Sequence, residues 1–494
     1  MSRKATLSFD RGTLILHPPP RGQRWAQFVT WDDRIEKFRL PAIDYRIFME
    51  AMREEGIDII DEAKNFASLQ LKIENAKKPF SHQQEALEAW KRGGRRGVVE
   101  LPTGAGKSYL AQLAIEVTPR SSLICVPTLD LMHQWYAQLE EAFPNIEVGL
   151  LGGGSKDESP ILIATYDSAA IFAEKLGNRY GLLIFDECHH LPSDFKRSIA
   201  EYAIAPYRLG LSATLERTDG KEQDIFHLIG PLVYSKKPEE LAGGALAEHK
   251  ISQIYVELAE EERLRYEELM RLRNAFLQEK QIFLGSIKGW QLFVQASAQS
   301  KAGRKAMLAH REARKIAFGT AAKLRVLDEL LQEHRHDRVL IFTDNNATVY
   351  EISQSFLIPA ITHQTKVKER HQVLADFRTG DYPRIVTSRV LNEGVDVPDA
   401  NVAIVLSGTS TTREYVQRLG RILRQREGKL AILYEVIAKD TSEERVSERR
   451  RGLKYQKKSE KDESSEEFSD QQELQSHYGL EPITIQEALN FDDL

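Results

Sequence analysis

The stretch Leu101-Pro-Thr-Gly-Ala-Gly-Lys-Ser108 constrains the fold of this 494-residue chain more than any other segment. It follows an apolar run at 98–101 and precedes 109–117, which has helical spacing and no helix breaker. The order strand, glycine-rich loop, helix is the context of a phosphate-binding loop. Gly104 and Gly106 let the backbone turn its amide hydrogens inward, and the helix N-terminus adds partial positive charge. The stretch therefore predicts a site for a polyphosphate.

Two side chains at the end of this loop have predicted roles of their own. Lys107 is expected to reach the β- and γ-phosphates of ATP, and the Ser108 hydroxyl is expected to hold Mg²⁺. Leu101 stands where the strict pattern has its first glycine, and the alternative is a glycine-rich turn with a chance lysine. The predicted ATP-binding segment consists of Pro102, Thr103, Gly104, Ala105, Gly106, Lys107 and Ser108.

Composition excludes several classes of protein. No apolar run approaches the roughly 20 residues of a membrane span, and the first residues lack the apolar core of a secretory signal. Cys125 and Cys188 are the two cysteines and lie far apart, so neither a disulfide framework nor a zinc site is indicated. A net charge of −5 argues against a uniformly basic nucleic-acid binder but allows local basic faces. We expect a soluble protein inside the cell.

The first half of the chain shows two patterns. Residues 1–75 contain two short strand-like runs, a turn signal and one helical stretch, which predict a small α/β module. Residues 76–236 alternate helical stretches with continuous apolar runs, a pattern typical of parallel strands buried on both faces of a doubly wound sheet. Those runs lie at 98–101, 122–126, 160–164, 182–185 and 209–211. Active groups in such a sheet lie at the carboxyl ends of the strands.

The second half is predicted to contain another α/β domain at 237–450, interrupted by a helical insertion at about 259–315. The tail at 451–494 begins as a charged, serine-rich segment, which predicts a disordered linker. The end of the tail is either a short docking helix or a solvated terminus. The strands of this half are predicted at 251–258, 339–342, 384–387, 403–406 and 431–435.

Two adjacent carboxylates follow a buried strand in Leu182-Leu-Ile-Phe-Asp-Glu-Cys-His-His190. Asp186 is expected to hold Mg²⁺ through its water shell. Glu187 is expected to orient and deprotonate the water that attacks the γ-phosphate, because phosphoryl transfer needs a positioned water and charge neutralisation. The alternative is a pair of helix-capping acids.

These segments, taken in order, resemble the motif series of a superfamily 2 helicase of the DEAH/DExH type over roughly 80–430. Within that superfamily the chain resembles the XPB-type DNA translocases. Their usual Arg-Glu-Asp triplet is Arg217-Thr218-Asp219 here, so any role of its middle acid is in doubt. The segments that carry the resemblance are Lys107-Ser108, Asp186-Glu187-Cys-His189, Ser212-Ala-Thr214, Gly210-Leu-Ser-Ala-Thr-Leu-Glu-Arg-Thr-Asp219, Leu228-Ile-Gly-Pro-Leu-Val-Tyr234 and Gln417-Arg-Leu-Gly-Arg-Ile-Leu-Arg424.

The resemblance implies two RecA-like domains, a thumb-like helical insertion and an N-terminal module similar to a damage-recognition domain. It implies an enzyme that uses ATP and Mg²⁺, moves 3′ to 5′ on single-stranded or forked DNA, and acts in repair or duplex opening. A nuclease or a repair protein is the expected kind of partner. We expect a cytoplasmic protein that associates with the nucleoid when bound to DNA.

The resemblance also assigns roles to single residues. Gln83 matches the glutamine that reads adenine, and Gly394 and Asp396 match positions near the nucleotide. Arg421 and Arg424, three apart on a predicted helix, match cations that neutralise the γ-phosphate. Coupling of hydrolysis to domain motion is implied for His189, Ser212, Thr214 and Gln417. Contact with nucleic acid is implied for Thr128, Thr165, Thr387, Arg217 and Asp219.

Each of these assignments has a simpler alternative from residue chemistry alone. Isolated threonine and serine hydroxyls are usually turn or cap residues, and arginines on a helix face are usually solvated. The basic stretch 301–315 is predicted to lie along a nucleic-acid backbone because its cations are dense, although a solvated helix face is the alternative. Its candidate contacts are Arg304, Lys305 and Arg311.

The sequence leaves three functions open. The first is an ATP-driven DNA motor, the second an RNA helicase or the motor subunit of a restriction system, and the third an ATP-dependent clamp that recruits a nuclease. A motor core reads only the nucleic-acid backbone, so it does not separate the first two. The order of the motifs also predicts an active site divided between the two α/β domains, because the predicted arginines lie more than 200 residues after the acidic pair.

Overall fold

Three β-sheets organise the part of the chain that a computed structural model describes, namely residues 4–215, 222–241, 248–284, 287–388, 400–407 and 430–450. The first sheet is small and mixed, and the two larger sheets are predominantly parallel. The predicted fold class is confirmed, because two doubly wound parallel sheets, a helical insertion and a small N-terminal α/β module are all present.

The N-terminal module is a five-stranded sheet covered by one helix, with strand order β3-β4-β2-β1-β5. A two-residue turn joins β1 to β2, and both of its residues have positive φ, Arg11 at 45° and Gly12 at 84°. Tight hairpins favour turns of this kind because their twist matches that of the strands. The elements are β1 Ala5–Asp10, β2 Thr13–His17, β3 Thr30–Asp32, β4 Lys37–Pro41, α1 Tyr45–Glu54 and β5 Ile59–Asp61.

The first large sheet has the strand order β13-β6-β12-β11-β7-β10-β8-β9 and is parallel except for β9 at one edge. Every residue of β7, β10 and β11 is buried, as expected for strands covered by helices on both faces. The strands are β6 Arg96–Glu100, β7 Ser122–Val126, β8 Val148–Gly152, β9 Ser155–Lys156, β10 Ile161–Thr165, β11 Leu182–Asp186, β12 Tyr207–Ser212 and β13 Leu232–Ser235. The helices are α2 Ser81–Arg92, α3 Lys107–Glu116, α4 Leu129–Ala142, α5 Tyr166–Ile171, α6 Ala173–Leu176, α7 Ser198–Glu201, α8 Glu222–Leu228 and α9 Pro238–Leu241.

The second large sheet is parallel throughout, with strand order β14-β19-β18-β15-β17-β16. Its first and last strands along the chain, β14 and β19, pair with each other although almost the whole domain separates them in sequence. The strands are β14 Glu248–Val256, β15 Val339–Phe342, β16 Ala360–Ile361, β17 Arg384–Thr387, β18 Val402–Val405 and β19 Leu430–Ala438.

A helical insertion follows β14 and consists of α10 Glu260–Glu279, α11 Ile287–Gln299 and α12 Lys301–Gly319. One stripe of α12 is buried, and its small side chains allow close packing against α10 and α11. The stripe recurs at helical spacing and comprises Ala306, Ala309, Ala313 and Ala317. The remaining helices of the second domain are α13 Ala321–Glu333, α14 Asn346–Phe356, α15 Val367–Thr379 and α16 Ser442–Arg450.

A buried ion pair joins the first helix after the insertion to the last described helix of the second domain. Lys323 on α13 is 1% exposed, and its Nζ lies 2.7 and 2.6 Å from the two carboxylate oxygens of Glu443 on α16. The same carboxylate accepts the backbone N–H of Ala438 at 2.8 Å. This pair and its hydrogen bonds hold α16 against the sheet.

The N-terminal module docks on the amino ends of the strands of the first large sheet. Arg46 of α1 donates to the carbonyl oxygens of Gly94 at 2.6 Å and Pro206 at 3.1 Å, which precede β6 and β12. The backbone N–H of Leu69 donates to Pro119 O at 3.1 Å, just before β7. The module is therefore fixed to the first domain on the side opposite the carboxyl ends of its strands. Among the described residues, no helix has the length and apolar character needed to cross a membrane.

Candidate active site and nucleic-acid contacts

Three predicted motifs meet at the carboxyl ends of β6, β12 and β11, which are neighbours in the first large sheet. In the parallel register Glu100 pairs with Ser212, and Leu211 pairs with Asp186. The phosphate loop follows β6, the acidic pair ends β11, and the Ser212-Ala-Thr214 segment ends β12. Motifs spread over more than 100 residues of the sequence therefore share one edge of the sheet.

The phosphate loop has the backbone conformation that its glycines permit. Gly104 has φ of 89° and Gly106 has φ of 78°, a region that other residues rarely adopt. A side chain at Gly106 would also place its Cβ 2.2 Å from Gln83 Nε2. Helix α3 begins at Lys107, directly after this turn, so its N-terminus opens onto the loop. The cradle and the helix end fit a polyphosphate.

The structure shows how Leu101 is accommodated at the position where the strict pattern has its first glycine. Its side chain is fully buried in the core of the first domain, while its carbonyl oxygen accepts a hydrogen bond from Lys107 Nζ at 3.1 Å. Lys107 Nζ also lies 3.8 Å from Glu187 Oε1. The ammonium group is thus held between the start of the loop and the acidic pair.

Gln83 supports the loop in this structure. Its side chain is 2% exposed, and its Oε1 accepts the backbone N–H of Phe80 at 2.9 Å. Its Nε2 donates to Gly106 O at 3.1 Å. The neighbouring His82 places Nε2 2.8 Å from Ala105 O, a contact that sequence reasoning missed. The contact of Gln83 with adenine stays a prediction.

The acidic pair lies in a crowded, buried setting. Asp186 accepts hydrogen bonds from Trp135 Nε1 at 2.9 Å and from the backbone N–H of Glu187 at 3.1 Å. Burial, followed by the neighbouring charge of Glu187, raises the pKa of Asp186 to about 6, although the Lys107 ammonium opposes this. Glu187 has φ of 49°, and this left-handed conformation turns the chain sharply after the strand.

The residues present fit a divalent cation. Glu187 Oε2 is buried and has no hydrogen-bond partner among the described residues, and it lies beside the Asp186 carboxylate at the end of the same strand. In the described part of the chain no three His, Cys, Asp or Glu side chains form a metal cluster. Mg²⁺ usually takes one or two protein ligands and completes its shell with water and phosphate oxygens. Ser108, half-buried at the start of α3, and Asp186 are the predicted ligands.

Three of the four residues with predicted coupling roles form a connected chain, and the fourth, Gln417, lies outside the described residues. His189 Nδ1 lies 3.5 Å from Glu187 Oε2 and 3.2 Å from Ser212 Oγ. Ser212 Oγ donates to Thr214 O, and the Thr214 backbone N–H lies 3.3 Å from the same hydroxyl. A movement of the segment after β12 would therefore displace His189, which lies beside Glu187.

The threonine hydroxyls with predicted strand contacts are engaged inside the protein. Thr128 and Thr165 are N-caps of α4 and α5, and their Oγ1 atoms accept backbone N–H groups at 3.3 and 3.2 Å. Thr387 is fully buried, and its Oγ1 donates to Ile361 O at 2.9 Å. The side chain of Thr387 thus faces the protein interior, because it ends a strand that pairs with β16 and packs against α14.

The basic stretch forms the outer face of α12. Its candidate contacts are exposed because the alanine stripe occupies the opposite face of the helix. A nucleic-acid backbone would have direct access to Arg304, Lys305 and Arg311. Several predicted site residues lie outside the described residues: Arg217, Asp219, Gly394, Asp396, Gln417, Arg421 and Arg424.

A contact between the two α/β domains was not predicted. Asp130 in the first turn of α4 accepts a hydrogen bond from Arg370 Nη1 at 3.1 Å and lies 3.3 Å from His371 Nε2, both on α15 of the second domain. The side chains of Asp130 and Arg370 are 19% and 13% exposed. No short-range pattern in the sequence identifies such a pair.

Comparison with known proteins places the chain in a family. Residues 7–63 match the damage recognition domain of xeroderma pigmentosum group B helicase, 76–217 match the res subunit of type III restriction enzymes, and 322–426 match the helicase conserved C-terminal domain. The chain is 40% identical over 430 residues to the DNA 3'-5' translocase XPB2 of Sulfurisphaera tokodaii, covering 86% of this chain and 96% of that protein. The chain belongs to the XPB family of superfamily 2 helicases.

Other relatives agree with this XPB assignment. The DNA 3'-5' helicase XPB of Mycobacterium tuberculosis is 30% identical over 451 residues, covering 87% of this chain and 70% of that protein. The general transcription and DNA repair factor IIH helicase/translocase subunit XPB/SSL2 of Saccharomyces cerevisiae is 26% identical, covering 85% and 48%. Among solved structures, the Hef helicase domain of Pyrococcus furiosus matches with a TM-score of 0.50 at 18% identity, covering 75% of this chain and 97% of that one. This last match supports the fold alone.

Proposed function

We propose that this chain is an ATP-driven DNA helicase or translocase that moves 3′ to 5′. Members of the XPB family to which it belongs carry the names DNA 3'-5' helicase and DNA 3'-5' translocase. The helicase family uses ATP, typically with Mg²⁺. The observation that carries the proposal is the convergence of the phosphate loop, the acidic pair and the Ser212-Ala-Thr214 segment at one edge of a parallel sheet.

In the proposed reaction the loop amides and Lys107 bind the phosphates, and Glu187 orients a water molecule in line with the γ-phosphate. The water oxygen attacks phosphorus, its proton passes to Glu187, and the bond from phosphorus to the β–γ bridging oxygen breaks. Ser108 and Asp186 would hold Mg²⁺, which would supply positive charge beside the phosphate oxygens. His189 and Ser212 relay the change at Glu187 to the end of β12.

The proposed active site is completed by the second domain. Arg421 and Arg424 are proposed to neutralise charge on the γ-phosphate, so the two domains must approach each other when ATP binds. Such cations contribute about 10³ to 10⁵ in turnover in related phosphoryl-transfer sites. Release of ADP and phosphate would separate the domains again, and a cycle of approach and separation would shift the DNA contacts of one domain relative to those of the other.

The proposed substrate is single-stranded or forked DNA, and the proposed setting is repair or duplex opening. Support comes from the match of residues 7–63 to a damage recognition domain and from the exposed basic face of α12. A nuclease or a repair protein that binds the module or the tail is the proposed partner. The restriction-type and RNA-helicase alternatives have no comparable support from the N-terminal module.

The test compares ATP hydrolysis by the full chain in the presence of single-stranded DNA, duplex DNA and RNA of equal length. Strand displacement from a forked DNA substrate is measured in parallel. We expect DNA to stimulate hydrolysis more than RNA does, and displacement to depend on ATP. Lys107→Ala is the control and should abolish both signals. Equal stimulation by RNA would favour an RNA helicase, and ATP-dependent DNA binding without displacement would favour a clamp.

A further inference from the structure

Helix α4 contacts two parts of the molecule that the proposed reaction must coordinate, the second domain and the acidic pair. Its N-cap is Thr128, a predicted strand contact, and its first turn carries Asp130, which bonds α15 of the second domain. Two turns into the helix, Trp135 reaches the acidic pair. This arrangement follows from topology, because α4 follows β7, and β7 pairs with the strand that ends at Asp186.

The contact between Trp135 and Asp186 is fully enclosed. The indole is 1% exposed, and its Nε1 donates to Asp186 Oδ2 at 2.9 Å. The other oxygen, Oδ1, accepts the backbone N–H of Glu187 at 3.1 Å. One donor on each oxygen fixes the plane of the carboxylate and leaves a defined set of lone pairs for a cation. Groups that orient a metal-ligating carboxylate in this way affect metal affinity nearly as much as the ligands do.

A second tryptophan in the same domain shows what a structural indole contact looks like. Trp90 on α2 is also 1% exposed, and its Nε1 donates to the backbone carbonyl of Arg208 at 2.9 Å. That bond satisfies a buried N–H, as any carbonyl would. Trp135 has the same burial and the same donor distance, but its acceptor is a predicted metal ligand.

Helix α4 also connects the contact between the domains to Trp135, so a movement at Asp130 would displace the indole. Asp130 and Trp135 are five residues apart on one continuous helix, which corresponds to about 7.5 Å along the axis. A rigid helix of this length moves as a unit, so a shift of its first turn toward or away from α15 displaces the indole. Met132 lies between them and is buried, which leaves the helix little freedom to bend locally.

We propose that Trp135 is a positioning residue for Asp186 and that α4 transmits the contact between the domains to this carboxylate. The inference rests on the proposed function, since it assumes that Asp186 holds the cation. Closure of the domains through Asp130 then sets the carboxylate plane, and separation releases it. Metal-nucleotide affinity and domain contact become linked through one helix.

The experiment measures Mn²⁺ affinity by electron paramagnetic resonance of free Mn²⁺, using the full chain and a non-hydrolysable ATP analogue. Trp135→Phe keeps the aromatic bulk and removes the donor, and we expect it to weaken Mn²⁺ binding by about 10-fold to 100-fold. Trp90→Phe is the matched control, because it removes an equally buried donor remote from the cation, and its Mn²⁺ affinity should equal that of the wild type. An affinity of Trp135→Phe within twofold of the control overturns the positioning role.

The linkage to the domain contact is tested with Asp130→Asn in both backgrounds. We expect this change to alter Mn²⁺ affinity several-fold in the wild type and to have no further effect beside Trp135→Phe, because both act through one path. If Asp130→Asn changes Mn²⁺ affinity equally with and without Trp135→Phe, α4 does not link the domain contact to Asp186. If Trp135→Phe does not fold, the Mn²⁺ affinity of Asp130→Asn is the remaining test. An affinity equal to that of the wild type counts against the proposal. Loss of DNA stimulation in the wild type would refute the proposed function but would leave the Mn²⁺ result intact.

Discussion

Replacing Glu187 by glutamine should stabilise the nucleotide-free protein while it abolishes hydrolysis. Asp186 is buried and the adjacent Glu187 is partly buried, and among the described residues the Lys107 ammonium lies 3.8 Å from Glu187. Removal of one negative charge relieves repulsion that the folded chain otherwise carries. The amide of glutamine does not accept the proton of the attacking water, so ATP should bind and remain uncleaved.

The magnitude follows from the pKa of Asp186, which rises from its ordinary value of 3.8 to about 6. The folded protein holds this proton between those two pH values, whereas the unfolded chain has released it, so stability falls as pH rises through that window. A pKa difference of about 2 corresponds to roughly 3 kcal/mol at neutral pH. Burial is the larger cause and persists in the variant. Removing the charge of Glu187 should therefore recover only about 1 kcal/mol.

Thermal unfolding of the first domain without nucleotide measures this effect. At neutral pH the Glu187→Gln protein should unfold about 2–4 °C above the wild type, since a domain of this size shifts by that amount per kcal/mol. The difference should shrink in acid, where Asp186 is protonated. Glu201→Gln is the control, because Glu201 pairs with Arg197 at 2.7 Å in a partly exposed setting and its loss should not raise stability. An unfolding temperature equal to or below that of the wild type would refute the reasoning.

Three further predictions concern other parts of the chain. Arg421→Ala combined with Arg424→Ala should lower DNA-stimulated turnover by about 10³ to 10⁵ while nucleotide affinity changes little, and wild-type turnover would place the active site in the first domain alone. Lys323→Met should lower the unfolding free energy of the second domain by about 3–5 kcal/mol in denaturant titrations, because it leaves a buried carboxylate without its cation, and adding Glu443→Leu should restore most of the loss. Charge reversal on α12 should reduce the salt dependence of DNA affinity by about one unit of slope per lost phosphate contact, and an unchanged slope at unchanged affinity would exclude the site. The reversed residues are Arg304, Lys305 and Arg311.

Much of the fold follows from local patterns in the sequence. Strands such as β7 and β11 are continuous apolar runs because both of their faces are covered, and that signal is strong in a single chain. The predicted runs at 122–126 and 182–185 differ from the observed strands by at most one residue. The edge strands β9 and β16 were missed because two residues give no periodicity. The strands β3 to β5 were missed for a related reason, since they are short or partly exposed.

The motifs of the candidate site were predictable from the sequence, whereas the residues that contact those motifs from other elements were not. Phosphate loops and acidic strand ends have a fixed local spacing, so their residues can be chosen without a structure. Trp135 lies on the apolar face of a helix, where a tryptophan ordinarily indicates core, and its bond to Asp186 depends on which strands are neighbours. Asp130 and Arg370 lie 240 residues apart, and their contact depends on how two domains meet.

Docking of the N-terminal module on the amino ends of the strands keeps the module apart from the ATP site. Strands of five residues separate the module from the nucleotide by about 17 Å of sheet. The module is therefore attached to one side of the first domain, and the proposed ATP hydrolysis takes place on the opposite side. A different N-terminal domain that kept the bonds of Arg46 to Gly94 and Pro206 could therefore attach to the first domain without any change to the ATP site.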